Sequence, residues 1–332
     1  MTLQIVPSFA SPTPVYIRNL RSINESDYMS QTIAPVLVFG ATGQQGGSVT
    51  NALLKAGQTV RALVRDPASV KAIKLASRGV EVVRGDLSDT ASIEEAMSGV
   101  RGVFSVQPSS PTGTLTDADE VRYGIAVADA AVRAGVEQFV YSSVGTASDE
   151  PTGMGHFDSK AEIEAHVRTL PIAWTIVRPV AFMDMLVMPG FGLDEGRFSF
   201  FAGRDQTMQF LAVEDIGKFV APIFADPERF AGQTIEIASD IVTGTEIEAA
   251  FSRAAGRSIT YSRFSDEVLA ANPFLSGLTA LLDSGPLAGH ADLAEMRQLN
   301  PEILTFESWL AGSGREAFQL ALGTSGQWDY NR

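Results

Sequence analysis

The stretch Gly40-Ala41-Thr42-Gly43-Gln44-Gln45-Gly46 has the residue types and spacing to hold a pyrophosphate. Gly40 permits a tight turn, Gly43 lets the backbone approach an anion closely, and Gly46 lets the following helix pack against the preceding strand. The N–H groups that open that helix supply the donors. Candidate cofactor contacts are therefore Gly40, Thr42, Gly43, Gln44, Gln45 and Gly46. The spacing is G-x-x-G-x-x-G rather than G-x-G-x-x-G, and an ordinary strand-to-helix turn is the competing reading. The apolar run Val36-Leu37-Val38-Phe39 before the loop and the helical pattern behind it favour dinucleotide binding.

Further along lie residues suited to the remaining parts of such a cofactor. Val64-Arg65-Asp66-Pro67 places Arg65 where an NAD-specific site carries a carboxylate for the ribose 2′-hydroxyl. A guanidinium grips a phosphate through two hydrogen bonds, so NADP(H) is preferred over NAD(H), with a solvated surface charge at Arg65 and a ribose contact by Asp66 as the competing readings. Gly85-Asp86-Leu87 puts Asp86 in reach of an adenine amine and Leu87 against the ring, although Asp86 and Ser88 also suit a helix cap. Gln107, in Gln107-Pro108-Ser109, falls where the nicotinamide ribose would pass.

These residues need strands and helices to hold them. Short apolar runs at 35–39, 59–64, 80–84, 102–106, 136–142 and 172–178 alternate with helical patterns at 44–56, 67–77, 89–98, 116–134 and 156–169. That alternation predicts an α/β fold, a Rossmann doubly wound parallel sheet with helices on both faces. Within 116–134, Val121, Ile125, Ala128 and Val132 repeat at helical spacing and are expected to form the apolar face. A further helix at 213–226 and strand at 233–237 are expected to return to the sheet edge. The expected division is an NAD(P)-binding Rossmann domain over 33–180, joined by 205–240. A smaller, mostly helical substrate-side lobe takes 181–204 and 241–332, and residues 1–32 read as a peripheral N-terminal extension.

Composition excludes several classes. The 332 residues carry a formal net charge of −14 and no cysteine, which removes thiolate nucleophiles and Cys-ligated metals and argues against direct nucleic-acid binding. With three histidines and no ligand cluster, no metal site is expected. Residues 170–192 are the most apolar later segment, but prolines and charges break them, so no membrane span is expected. A cytoplasmic protein fits these features.

The glycine loop, Arg65, Gly85-Asp86, Tyr141-Ser142-Ser143, His156-Phe157-Asp158-Ser159-Lys160, Val177-Arg178-Pro179 and Val213-Glu214-Asp215-Ile216-Gly217 together resemble the NmrA-like branch of the atypical short-chain dehydrogenase/reductases. The resemblance runs from residue 35 to about 310. It implies a Rossmann core that binds NADP(H), in a family divided between reductases and redox-sensing regulators. It also implies that Lys160 is the lysine of the wider family's Tyr-x-x-x-Lys pair, which holds the nicotinamide ribose. His156 stands where the proton-donating tyrosine would be. Its imidazole is a candidate general acid, and packing at a helix start is the alternative. Ser143 approximates the family's serine, and Pro179 and Phe182 lie where relatives close over the nicotinamide. The Met and Phe residues of 182–210 read either as core or as an apolar pocket for an aromatic substrate. The expected function is NADPH-dependent reduction of a quinone, dye or other conjugated carbonyl. The alternative is an NADP(H) sensor with a protein partner and 179–204 as its moving part.

Overall fold

The computed structural model describes residues 34–109 and 115–323. The expected extension, residues 1–32, lies outside them. The strands are β1 (Val36–Val38), β2 (Val60–Val64), β3 (Glu81–Arg84), β4 (Gly102–Ser105), β5 (Gln138–Ser142), β6 (Ala173–Pro179), β7 (Ala181–Phe182), β8 (Arg197–Phe200), β9 (Met208–Leu211), β10 (Gln233–Ile237), β11 (Asp240–Val242) and β12 (Thr260–Arg263). Six helices build the Rossmann layers: α1 (Gln44–Lys55), α2 (Val70–Ala76), α3 (Thr90–Met97), α4 (Asp117–Arg133), α5 (Gly155–Val167) and α6 (Val213–Ala225). Later come α7 (Pro227–Phe230), α8 (Gly244–Ala255), α9 (Asp266–Ala271), α10 (Pro273–Asp283), α11 (Leu293–Leu299), α12 (Phe306–Ala311) and α13 (Arg315–Gly323).

Seven strands form one parallel sheet in the order β10-β6-β5-β4-β1-β2-β3. The chain winds outward through β2 and β3, then crosses β1 to continue with β4. The order therefore reverses between β1 and β4, the place where open α/β sheets leave a crevice at their carboxyl ends. Each expected strand of this sheet forms within two residues of its expected limits, because a strand buried on both faces is a short continuous apolar run. Burial is complete along β1, β4 and β5. Separate apolar clusters cover the two faces, one holding Val36, Val49 and Phe219 and the other Leu37, Phe139 and Ile163.

One expectation is corrected. The buried face of α4 is Glu120, Tyr123, Gly124, Val127, Ala128 and Ala131, not the set with Val121, Ile125 and Val132, which are only half-buried. Small residues win the inner face because α5 packs closely there: a Cβ on Gly124 would touch Ile163. The substrate-side lobe is mostly helical, with α8 to α13 as its main elements. It holds a β11-β9-β7 sheet and a β12-β8 pair, whose strands of two to four residues are too short for a period-2 signal. Its core is a third cluster rich in Phe, including Phe198, Phe251, Phe306 and Phe318. The segment 179–204 packs into that cluster through Phe191, Leu193, Phe198 and Phe200, each at most 3% exposed.

Candidate active site

The glycine loop leaves β1 at the reversal point. Gly40 has φ +66°, in the left-handed region that glycine tolerates, and its carbonyl accepts the Gly43 N–H at 2.8 Å. A Cβ on Gly46 would overlap the carbonyl oxygens of Gly40 and Phe39, so this residue sets how closely α1 approaches the strand. Gly43 is the N-cap of α1 and provides no side-chain cap, and the first turn of α1 has no acidic residue. The positive end of a 12-residue helix is thus left open at the crevice. Gly40, Gly43 and Gln44 are exposed, Thr42 and Gln45 half-buried. These features fit a dinucleotide pyrophosphate.

The other sequence candidates lie at two ends of the crevice. Arg65 is exposed just past β2, within electrostatic reach of Asp86. The Asp86 carboxylate accepts from Ser88 N (2.8 Å) and Ser88 Oγ (2.6 Å), and these bonds, with Arg65, hold it below the usual carboxylate range. The cap of α3 is instead Asp89, which accepts from Ala91 N. Leu87 is half-buried against the sheet cluster. Gln107 is buried beyond β4, donates to Ser105 Oγ at 2.8 Å, and leaves Oε1 without a partner.

At the far end, Gln45, Ser143, His156, Lys160, Pro179 and Phe182 line one cavity of about 960 Å³. Its depth is apolar: Phe191, Phe200, Phe201, Met208, Phe274 and Leu278 share the wall. The cavity opens at the carboxyl ends of β5, β6 and β10. Gln45 Oε1 accepts from Ser142 Oγ at 2.8 Å, tying α1 to β5 at its rim, and Ser143 Oγ is buried without a partner.

Lys160 Nζ donates to Glu120 Oε1 (2.6 Å), the His156 carbonyl (3.0 Å) and Ser109 Oγ (3.2 Å). Those are the three hydrogens an ammonium possesses. Glu120 is 1% exposed and also accepts from Ser159 Oγ; burial pushes its carboxyl above the usual range, against the opposing pull of Lys160. His156 follows the first residue of α5 and packs against Phe157 with ring centroids 3.8 Å apart and planes tilted by 43°. Burial, reinforced by the Lys160 charge, pushes its pKa down to about 4, so the ring is neutral near pH 7. Tyr141 points away into the sheet core, 1% exposed, and burial raises its phenol well above the ordinary value.

Sequence reading missed Glu120, Asp117 and Glu236, the last two of which line the cavity. Glu120 had one recoverable signal, its phase with Tyr123, Gly124, Val127 and Ala131 on the inner face of α4. Among the described residues no group of acidic, His or Cys side chains is arranged to hold a metal ion, and no helix is long and apolar enough to cross a membrane.

A parallel sheet with an order reversal, a glycine turn and an open helix end defines a dinucleotide-binding Rossmann protein of the short-chain dehydrogenase/reductase type. Residues 32–313 match the NmrA-like family, and the chain belongs to that family. It is 33% identical over 228 residues to an NAD(P)H azoreductase of Xenophilus azovorans, covering 68% of this chain and 76% of that protein. In fold it is similar to NmrA, a negative transcriptional regulator solved in complex with NADP (TM-score 0.71, 22% identity, 87% of this chain and 98% of that one). It is also similar to the Citrobacter sp. triphenylmethane reductase complexed with NADP(H) (TM-score 0.69, 23% identity, 87% and 100%).

Proposed function

We propose that this protein is an NADPH-dependent reductase of a planar conjugated acceptor, such as a quinone, a dye or a conjugated carbonyl. The observation that carries the reading is the 960 Å³ apolar cavity that begins at Gln45 and Lys160 and ends among phenylalanines. A sensor needs the crevice alone, whereas a roomy aromatic chamber beside it suits a second reactant. The family membership and the azoreductase relative support the same class of activity.

In this reading the open end of α1 and Gly43 hold the pyrophosphate, Arg65 the 2′-phosphate, and Asp86 and Leu87 the adenine side. Lys160 orients the nicotinamide ribose, whose hydroxyl would displace the longest of the three Lys160 bonds, that to Ser109. Pro179 and Phe182 exclude water from the reacting face. The bound dihydronicotinamide supplies two electrons and one hydrogen; the chain supplies alignment, which by itself lowers a barrier substantially. The test is NADPH consumption by the purified protein against quinones, azo dyes and aldehydes, with oxidation of at least one class expected. Tight cofactor binding with no acceptor oxidising NADPH above the buffer rate would replace this reading with the sensor.

A further inference from the structure

Lys160 is the one Lys or Arg among the described residues that line the cavity, and Glu120 is placed to control it. The carboxylate projects from the inner face of α4, 1% exposed, where α5 packs so closely that a Cβ on Gly124 would touch Ile163. Consecutive residues of α5 hold both of its oxygens: Oε1 accepts from Lys160 Nζ at 2.6 Å and Oε2 from Ser159 Oγ at 3.0 Å. The carboxylate is therefore fixed in orientation, and it fixes in turn the tip of a flexible four-carbon stem. Other acidic groups nearby are committed elsewhere. Asp158 accepts from Thr152 N, Thr152 Oγ1 and Gly153 N, Glu236 from His290 N, and Glu164 pairs with Arg168 and Arg178. A buried ion pair adds little net stability over apolar side chains of the same volume, so stability alone does not account for a carboxylate at this position.

We infer that Glu120 is a positioning residue for the nicotinamide half of the cofactor: it aims Lys160 at the ribose and cancels the ammonium's charge beside a ring that is positive when oxidised and neutral when reduced. The inference rests on the placement of Lys160 in the proposed function and deepens it, without depending on turnover. An unmatched ammonium would repel the oxidised ring and not the reduced one. Like charges within a few ångströms, in a site shielded from water, shift an equilibrium by about tenfold or more. With Glu120 in place, Lys160 offers its hydrogen bond to the ribose free of that repulsion, so both redox forms are held by the same contact.

The test is calorimetry of NADPH, NADP+ and 2′,5′-ADP with wild type, Glu120→Gln, Lys160→Met and the double variant. The fragment 2′,5′-ADP lacks the nicotinamide half, so it reports on the fold and the adenine side. Glu120→Gln is expected to raise the ratio of the NADP+ to the NADPH dissociation constant about tenfold, with 2′,5′-ADP affinity within about twofold of wild type. The double variant carries neither charge and is expected to restore the wild-type ratio to within about twofold, although both affinities are weaker. Asp117 and Glu236, which also line the cavity, are common to all the variants and drop out of the comparison. A carboxylate that only held α4 against α5 would weaken NADP+ and NADPH alike. An unchanged ratio in folded Glu120→Gln, or a raised ratio that persists in the double variant, overturns the inference. Should Glu120→Gln not fold, Lys160→Met decides: it leaves the carboxylate unmatched and is expected to lower the ratio several-fold, and an unchanged ratio overturns the inference. Lys160→Met also separates the two readings. Unaltered affinity for both cofactor forms removes Lys160 from the ribose, and the proposed placement falls together with the inference. Weaker binding of both forms, with no shift of the ratio in Glu120→Gln, leaves the placement standing and removes only the role of Glu120.

Discussion

Arg65 and His156 are single side chains whose chemistry can be isolated. Arg65 is exposed at the end of β2, so its contribution to the fold is small, and in the proposed reading its removal bears on NADPH through the 2′-phosphate. Arg65→Ala should weaken NADPH binding by roughly 10- to 150-fold, from about 1.5 to 3 kcal/mol of charge-assisted hydrogen bonding, and leave NADH nearly unchanged. Calorimetry with both cofactors decides it, and an equal loss for both moves the phosphate contact elsewhere. His156, with its pKa pushed down to about 4, is not a reservoir of imidazolium at neutral pH. Turnover should therefore stay flat between roughly pH 5.5 and 8 rather than fall through the usual imidazole range. His156→Phe should change mainly KM. A kcat lower by about 100-fold with cofactor affinity intact would restore His156 as the acid.

At the scale of elements, the site depends on where α5 lies. His156, Lys160 and Glu164 follow one another at i, i+4 and i+8 along it, on one face. Glu164 is fully buried and pairs with Arg178 of β6 and with Arg168 at 2.5 Å, while Lys160 reaches Glu120 of α4. Two buried ion pairs thus fix α5 to β6 of the sheet and to its neighbouring helix. Removing one partner strands the others, so Glu164→Ala should cost about 3 to 5 kcal/mol. Chemical denaturation would measure it, and a change within about 0.5 kcal/mol would show that water readily replaces the carboxylate. Weakened cofactor affinity is expected to accompany the loss, since Lys160 moves with the helix.

For the whole molecule, stability should depend on pH with a sign set by the groups whose ionisation the fold alters. His156 has a folded pKa of about 4, below its unfolded value. The unfolded chain then binds the extra proton as pH falls, and stability present above about pH 6.5 is lost progressively down to about pH 4. Glu120, raised by burial, acts in the opposite sense and favours the folded state at low pH. A wild-type minus His156→Phe difference isolates the imidazole. The slope between roughly pH 6.5 and 4 should be shallower in the variant, by about 1 to 2 kcal/mol over the window for a partly exposed ring. Identical slopes would mean that the imidazole stays accessible to water.

The strands of the main sheet, the six helices around it and the glycine loop were legible in the sequence because each is a local pattern. An apolar run, a helical repeat or a strand–glycine–helix junction is complete within about twenty residues. Family resemblance likewise singled out His156, Lys160 and Ser143 along the chain. What they face was settled only by tertiary structure. Lys160 meets Glu120 across forty residues, and the phase of α4 that buries Glu120 follows from how closely α5 packs on Gly124. The short strands β7, β8, β9, β11 and β12 exist through pairing with distant partners rather than through any pattern of their own. The neutrality of His156 has the same origin. An imidazole takes its charge state from the burial and the ammonium around it, and neither is written in the neighbouring residues.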